Sequence, residues 1–127
     1  MTRTVHRSGA RRRVRPRLVS TVYAGWGAAL LVRPAEVTRA VCAGQQEPPT
    51  WVTQLLGARL VGQHAAVLVR PARGVVLAGA AVDLLHALSM VAVAVWWPEY
   101  RRPAVVSGGT SAAAAVLGAA ALARAER

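Results

Sequence analysis

The sequence predicts an all-α fold, a bundle of four membrane-spanning helices, and three observations lead to that prediction. The 127-residue chain is 54% hydrophobic. Only 17% of its residues are charged, against roughly 25% in ordinary soluble domains. The charges are segregated, because seven of the sixteen arginines lie before residue 18. The rest of the chain divides into four apolar segments of nearly the length that crosses a bilayer, about 20 residues: 18–32, 51–69, 75–97 and 103–123. We therefore expect a disordered basic tail over residues 1–17 and one membrane domain over residues 18–127.

The amino-acid composition indicates a bacterial source and excludes several kinds of site. The chain has no Lys, Asn, Ile or Phe and is rich in Ala, Val, Gly and Arg, which is typical of a GC-rich genome such as that of an actinobacterium. Its single cysteine, Cys42, excludes an intrachain disulfide and a CxxC redox pair. No HxxxH or HExxH spacing, phosphate loop or dinucleotide fingerprint is present. We accordingly expect neither a metal nor a cofactor.

The first apolar segment is the shortest, with fifteen residues between Arg17 and Arg33. It can span a bilayer if these two arginines extend to the interfaces or if the bilayer thins locally. The basic start and short apolar core also fit a cleaved signal peptide. The sequence Val32-Arg33-Pro34 that comes next offers no small-residue cleavage site, so we favour a retained helix.

A short interfacial helix is expected directly after this first span, in the sequence RPAEVTRAVCAG. Pro34 suits a first helical position and Gly44 suits a stop. Val37 and Val41 are four residues apart, so they would share an apolar face. We predict that this helix lies at the membrane surface.

The remaining spans are predicted to pack closely. Only the five residues RPARG, 70–74, join the second and third segments, which indicates a tight helical hairpin. The fourth segment consists largely of Gly, Ala and Ser, which allow helices to approach closely in lipid. Gly25 and Ala29 form a weaker pattern of the same kind in the first segment. Codon bias explains so much alanine equally well, and the sequence leaves this alternative open.

The positions of the arginines predict the orientation of the four spans. The amino tail, the loop after the second segment and the carboxyl tail share one side and hold seven, two and two arginines. The loops on the other side hold two each. The positive-inside rule then places both termini in the cytoplasm of an inner membrane. Aromatic residues favour membrane interfaces, and four of them fall at the predicted outer side: Trp51, Trp96, Trp97 and Tyr100.

Polar residues inside the second and third segments form the candidate site. Arg59 and Gln63 are four residues apart and share a helix face, and Asp83 and His86 share a face of the next helix. At 1.5 Å per residue, Arg59 lies roughly 12 Å from the outer end of its helix, which brings it nearly level with His86. An unpaired Arg or Asp at mid-membrane costs about 2.5–3.5 kcal/mol, so the depth and the energy both favour an Arg59–Asp83 ion pair. Gln63 and His86 are expected to complete its hydrogen bonds.

Two interpretations of this cluster remain open. A buried ion pair can simply fix the register of two helices. Intramembrane ionisable residues can also bind a ligand or handle a proton, and a histidine beside a carboxylate suits the second role. His64 points about 100° away from Gln63 and is expected to pack elsewhere in the bundle.

The basic tail carries its own prediction. Clustered arginines next to a membrane span set topology and contact anionic lipid headgroups, and here they are Arg11, Arg12, Arg13, Arg15 and Arg17. The tail lacks aromatic residues for base stacking, so we expect no nucleic-acid partner. The expected partners are the lipid bilayer and either further copies of the chain or a larger membrane complex.

The motifs LGAR at 56–59 and VDLLHALSM at 82–90 loosely resemble those of small four-helix membrane proteins of actinobacteria, distantly of the DoxX type. The similarity covers roughly residues 18–123. It implies a four-helix membrane bundle and carries over no catalytic residue. We expect a non-enzymatic accessory or structural component of the membrane. The alternatives are a small oligomeric proton-linked or solute transporter that uses Arg59, Asp83 and His86, and, last, a membrane enzyme with Asp83 and His86 as acid and base.

Overall fold

The structure, a computed structural model, is helical throughout the part of the chain that it describes. It gives the backbone of residues 7–125 and the side chains of residues 17–124. Five α-helices follow one another, with one turn of 3₁₀-helix before the last. Their bounds are α1 Arg7–Val32, α2 Pro34–Cys42, α3 Thr50–Val69, α4 Arg73–Trp96, the 3₁₀ turn Pro98–Tyr100, and α5 Arg101–Ala125.

The amino-terminal region differs from the prediction. We expected residues 1–17 to be disordered, but α1 begins at Arg7 and continues without a break into the apolar segment. Arginine is a good helix former, which favours this extension, although Pro16 within it lacks an N–H and removes one helical hydrogen bond. Residues 1–6 lie outside the described part of the chain.

The short helix α2 lies in the expected segment, but Val37 and Val41, its predicted apolar face, are only half-buried. Pro34 occupies its first turn, and the helix stops where Ala43 and Gly44 both adopt positive φ, at 48° and 89°. Thr38 and Cys42 are buried on the inward face. The hydroxyl groups of Thr38 and Thr53 lie 3.2 Å apart, which fastens α2 to the start of α3.

The first close helix pair is α1 with α3, and two glycines allow it. A Cβ at Gly27 would lie 2.9 Å from the carbonyl oxygen of Gly57, and a Cβ at Gly57 would lie 2.7 Å from the carbonyl oxygen of Gly27. The backbones therefore touch at this crossing, as small residues permit. Gly25, which the sequence pattern suggested, has no neighbour within 4 Å of its ideal Cβ.

The second close pair is α4 with α5, and small residues again form the contact. Ala104, Ser111 and Ala114 are buried on α5. An ideal Cβ at Gly108 would lie 2.9 Å from Cβ of Met90. The small-residue face of α5 thus has a packing role, whatever codon bias contributed to its composition.

The short connection predicted a tightly packed α3–α4 hairpin, and this prediction is wrong. The connection is short, since only residues 70–72 separate the helices, but the backbones of α3 and α4 approach each other at few positions. The physical reason is the size of the side chains at this interface. Arg59 and Gln63 reach across to α4 and hold apart helices that glycines would have brought together.

Two helical segments are long and apolar enough to cross a membrane, by length and composition: Arg73–Trp96 and Pro98–Arg124. Only 17% and 11% of their most apolar stretches are buried within the protein. The apolar part of α1, Arg17–Val32, is shorter. α3 has the length, but Gln54, Arg59, Gln63 and His64 make it less apolar. Two such helices suggest a membrane location, and the four predicted spans go beyond this finding.

Candidate functional site: a polar cluster between two helix pairs

The candidate site lies where the α1–α3 pair meets the α4–α5 pair. Its centre is Asp83 of α4, whose side chain is only 2% exposed. Nη2 of Arg59 on α3 lies 3.3 Å from Oδ1 of Asp83. The structure thus brings together the two residues that the depth argument paired. The two opposite charges compensate each other, so neither is buried as an unpaired charge, which is the costly case.

Gln63 holds the other oxygen of the same carboxylate. Its Nε2 donates to Oδ2 of Asp83 at 2.7 Å and also lies 3.2 Å from the carbonyl oxygen of Gly79. Both oxygens of Asp83 therefore accept hydrogen bonds from α3. Since Gln63 and Arg59 are one helical turn apart, both donate to the same carboxylate from one face of α3.

His86 is placed differently from the prediction. Its Nε2 forms a hydrogen bond with the hydroxyl group of Ser107 on α5, at 2.9 Å, and not with Asp83. Three residues of helix leave Asp83 and His86 about 60° apart around the α4 axis, so Asp83 faces α3 while His86 turns towards α5. One side of α4 therefore contacts α3 through Asp83 and α5 through His86.

Two serines of α5 complete the cluster, and the sequence analysis did not identify either of them. Ser107 pairs with His86, and Oγ of Ser111 lies 3.5 Å from Nη2 of Arg59. Their spacing of four residues puts both hydroxyl groups on one face of α5. The sequence contains a signal for this pair, namely two hydroxyl residues one helical turn apart in an apolar segment. Serines are also small packing residues, so the signal does not distinguish the two roles.

His64 belongs to a separate polar contact between α1 and α3. It is 5% exposed, its Nδ1 lies 3.3 Å from the hydroxyl group of Ser20, and its ring stacks on Tyr23 at 5.2 Å between centroids. The hydroxyl group of Tyr23 donates to the carbonyl oxygen of Thr110 at 2.8 Å, which connects α1 to α5. The prediction that His64 packs apart from the Arg59–Asp83 pair agrees with this geometry.

Several buried polar atoms have no hydrogen-bond partner within the described part of the chain: Nε and Nη1 of Arg59, Oε1 of Gln63 and Nε2 of His64. Gln63, His64 and Asp83 line a common cavity of about 20 Å³, which is enough space for one water molecule. The polar interior therefore has more hydrogen-bonding capacity than its own side chains use.

A second, much larger cavity of about 300 Å³ lies beside the cluster, towards the α2 end of the bundle. All five helices contribute to it, and its walls are mostly apolar. His86, Ser107 and Ser111 line it, so the polar cluster meets this cavity on the α5 side. No local sequence pattern predicts this cavity, because its existence depends on how the helices are spaced.

The arginines assigned to lipid headgroups fall mostly outside the described side chains. Arg17 is exposed, and its carbonyl oxygen accepts a hydrogen bond from Thr21. The side chains of Arg11, Arg12, Arg13 and Arg15 lie outside the described residues, although the α1 backbone includes them.

Chemically, the cluster compensates charge and donates hydrogen bonds. Within residues 17–124, no three His, Cys, Asp or Glu side chains lie close enough together to hold a metal ion. Both oxygens of Asp83 are engaged, and the hydroxyl group of Ser107 is paired with His86. Ser111, which accepts a hydrogen bond from Arg59, keeps an O–H that can donate where the cluster meets the larger cavity. Comparisons with protein-family models, with curated proteins and with solved structures found no match for this chain.

Proposed function

We propose that this chain is a small multi-pass protein of the bacterial inner membrane, with α1, α3, α4 and α5 as its four spans. The support is the inverted distribution of polarity in the bundle. Asp83 and His64 are buried, while Leu84, Leu85 and Leu88 in the middle of α4 are between 52% and 70% exposed. A soluble protein of this size rarely leaves such a continuous apolar surface in water, whereas lipid covers it without cost.

The proposed orientation places both termini in the cytoplasm and α2 at the outer surface. Arginine placement carries this part of the proposal. The exposure of Trp51, Trp96 and Trp97 at the α2 end supports it, since Trp favours the interface between lipid and water. The larger cavity would then lie in the outer half of the bilayer.

Within the membrane, we propose a non-enzymatic role as an accessory or structural component. The observation that carries it is the state of Asp83, which is 2% exposed and has both carboxylate oxygens engaged by α3. A carboxylate held in this way cannot reach a substrate, but it does lock α3 to α4. We also propose that the chain is distantly related to the DoxX type, a resemblance that carries over no catalytic residue.

A small transporter is the second candidate, and one observation favours it. The polar cluster adjoins a cavity of about 300 Å³ that is partly open to the surroundings. A bundle of this size would have to associate with further copies to form a complete pathway. Asp83 and Arg59 would then separate during transport, which their engagement in the present arrangement opposes.

Two experiments test the membrane proposal and its orientation. Alkaline carbonate should leave the protein in the membrane pellet, and detergent should release it. Reporter fusions at Gln45 should report a periplasmic position, and fusions at Gly74 a cytoplasmic one. Release by carbonate would contradict membrane insertion, and a periplasmic Gly74 would contradict the orientation.

A further inference from the structure

The cavity of about 300 Å³ has the size of a ligand site rather than of a packing defect. Protein interiors are close-packed, and empty spaces larger than a few water molecules are uncommon. Ligand pockets begin at about this volume. Apolar side chains from four different helices form most of the wall: Trp26, Leu30, Val41, Leu56, Met90 and Val93.

Several helices contribute polar residues to the cavity lining, and α5 contributes three of them: Ser107, Thr110 and Ser111. Ser107 and Ser111 are one helical turn apart, so their hydroxyl groups face the cavity side by side. Oγ of Ser111 accepts a hydrogen bond from Arg59, which leaves its own O–H free to donate. By contrast, Thr38 and Thr53 satisfy each other. A ligand therefore finds at Ser111 a hydrogen-bond donor on a mostly apolar surface.

The charge of the site selects an uncharged ligand. Among the described residues that line the cavity, none is Asp, Glu, Lys or Arg. Two guanidinium groups lie near the lining: Arg59 is compensated by Asp83 at 3.3 Å, and Arg102 is exposed and donates to the carbonyl oxygen of Val41. A charged group would lose its hydration on entering and would find no opposite charge, which is costly.

We infer that this cavity binds an uncharged, mostly apolar molecule whose oxygen accepts a hydrogen bond from Ser111, next to the hydrogen-bonded pair of Ser107 and His86. A neutral acyl lipid and a small apolar ketone or ester share this chemistry. The inference rests on the cavity and its lining, so it stands or falls independently of membrane insertion and orientation.

The test uses the purified full-length chain in detergent, labelled with a photoreactive medium-chain ketone that carries a diazirine. Adducts should form saturably on peptides that contain Trp26, Met90 or Val93, and excess unlabelled ketone should prevent them. A neutral acyl glycerol should be the stronger competitor if the natural ligand is a lipid, and the weaker one if it is a small solute. Adducts that never saturate and fall on the outer face, at Leu85 and Val91, would overturn the inference.

Substitutions then separate the cavity from its polar wall. Ala104→Phe fills the cavity and should abolish saturable labelling, whereas Val105→Phe, on the neighbouring exposed position, should preserve it. Leu56→Trp is a second filling variant, should the first fail to fold. Unchanged saturable labelling in a folded filling variant would place the ligand elsewhere.

The hydrogen bonds are tested by competitors that differ in one group. Against the native chain, the ketone should compete about fivefold better than an alkane of equal length, as expected for one net hydrogen bond. Replacing both serines, Ser107→Ala with Ser111→Ala, should remove this advantage and leave alkane binding intact. A fatty-acid anion that competes as well as the ketone would contradict the uncharged class.

Discussion

At the scale of single residues, the polar interior depends on Asp83. It is among the most completely buried large side chains in the described part of the chain, and two donors from α3 hold it. Its pairing with Arg59 could be predicted, because depth along two antiparallel helices follows from a fixed rise per residue. The contribution of Ser111 could not, because the rotation of α5 about its axis depends on packing that no local pattern encodes.

We predict that the Arg59–Asp83 pair is coupled in stability. Asp83→Asn leaves Arg59 unpaired, and Arg59→Leu leaves Asp83 unpaired. Each substitution should destabilise the folded protein by about 2.5–3.5 kcal/mol and so lower the amount that accumulates. Because the double substitution removes both charges, it should recover much of the loss. Detergent-solubilised protein can be quantified by size-exclusion chromatography. A double variant no better than the poorer single variant would show that the pair is not a structural lock.

Cys42 provides a second prediction at this scale. It is 1% exposed. Burial raises the pKa of its thiol, nearby Glu47 raises this pKa further, and Arg102 lowers it. Because the thiolate is the reactive form, Cys42 should resist alkylation by iodoacetamide at neutral pH until the protein is denatured. A Cys42→Ala chain with Ala40→Cys, on the exposed face of α2, is the control and should react at once. Rapid alkylation of native Cys42 would contradict the burial.

At the scale of elements, side-chain size decides which helices pair. Glycines at positions 27 and 57 bring α1 and α3 into backbone contact, and Gly108 lets α5 pack closely against the Met90 side chain of α4. Arg59 and Gln63 keep α3 and α4 apart. The space that remains between the two pairs holds the polar cluster and the larger cavity, so both features result from the same uneven spacing of helices.

We predict that the α1–α3 contact tolerates no added methyl group. Gly57→Ala would place a Cβ 2.7 Å from a backbone oxygen and should destabilise the protein by about 1–3 kcal/mol. Gly25→Ala, with no neighbour within 4 Å, is the matched control and should be neutral or stabilise by up to about 1 kcal/mol. Thermal unfolding in detergent measures both. Equal effects of the two substitutions would contradict a close backbone contact between α1 and α3.

At the scale of the whole molecule, the bundle buries polar side chains such as Asp83 and exposes a long row of large apolar ones. Leu84, Leu88, Val91 and Val95 follow a helical spacing along one outward face of α4, and all are more than half exposed. Such a face requires lipid or protein to cover it. The connection between the ends of α2 and α5, where Arg102 donates to the carbonyl oxygen of Val41 at 2.7 Å, closes the bundle at the α2 end.

A charge on this outer face distinguishes a membrane protein from a soluble one. Leu85 is 70% exposed at the middle of α4. In a bilayer, Leu85→Arg should cost about 3–4 kcal/mol of insertion and reduce the membrane-integrated fraction sharply. In water, an exposed substitution of this kind changes stability by about 0.5 kcal/mol or less. Protease protection of membrane vesicles measures the inserted fraction, with Leu85→Ala as the apolar control. Full integration of Leu85→Arg would contradict a lipid-facing α4.

The sequence by itself determined the features that depend on local periodicity and composition. Apolar runs, together with the proline and glycine residues between them, predicted the helices, including α2 with its stop at Gly44. The rise per residue of a helix predicted that Arg59 and Asp83 can meet. Even locally the prediction was incomplete, since α1 begins at Arg7, well before its apolar segment. These features are encoded within single helices, by residues that are close together in the chain.

Only the tertiary structure decided which helices touch. The loop of residues 70–74 indicated that α3 and α4 pair closely, whereas glycine crossings that are distant in sequence pair α1 with α3. His86 consequently faces Ser107, and the larger cavity opens between the pairs. The physical reason is that packing depends on the rotation and separation of whole helices, which are set by the few positions where the smallest side chains of two helices coincide.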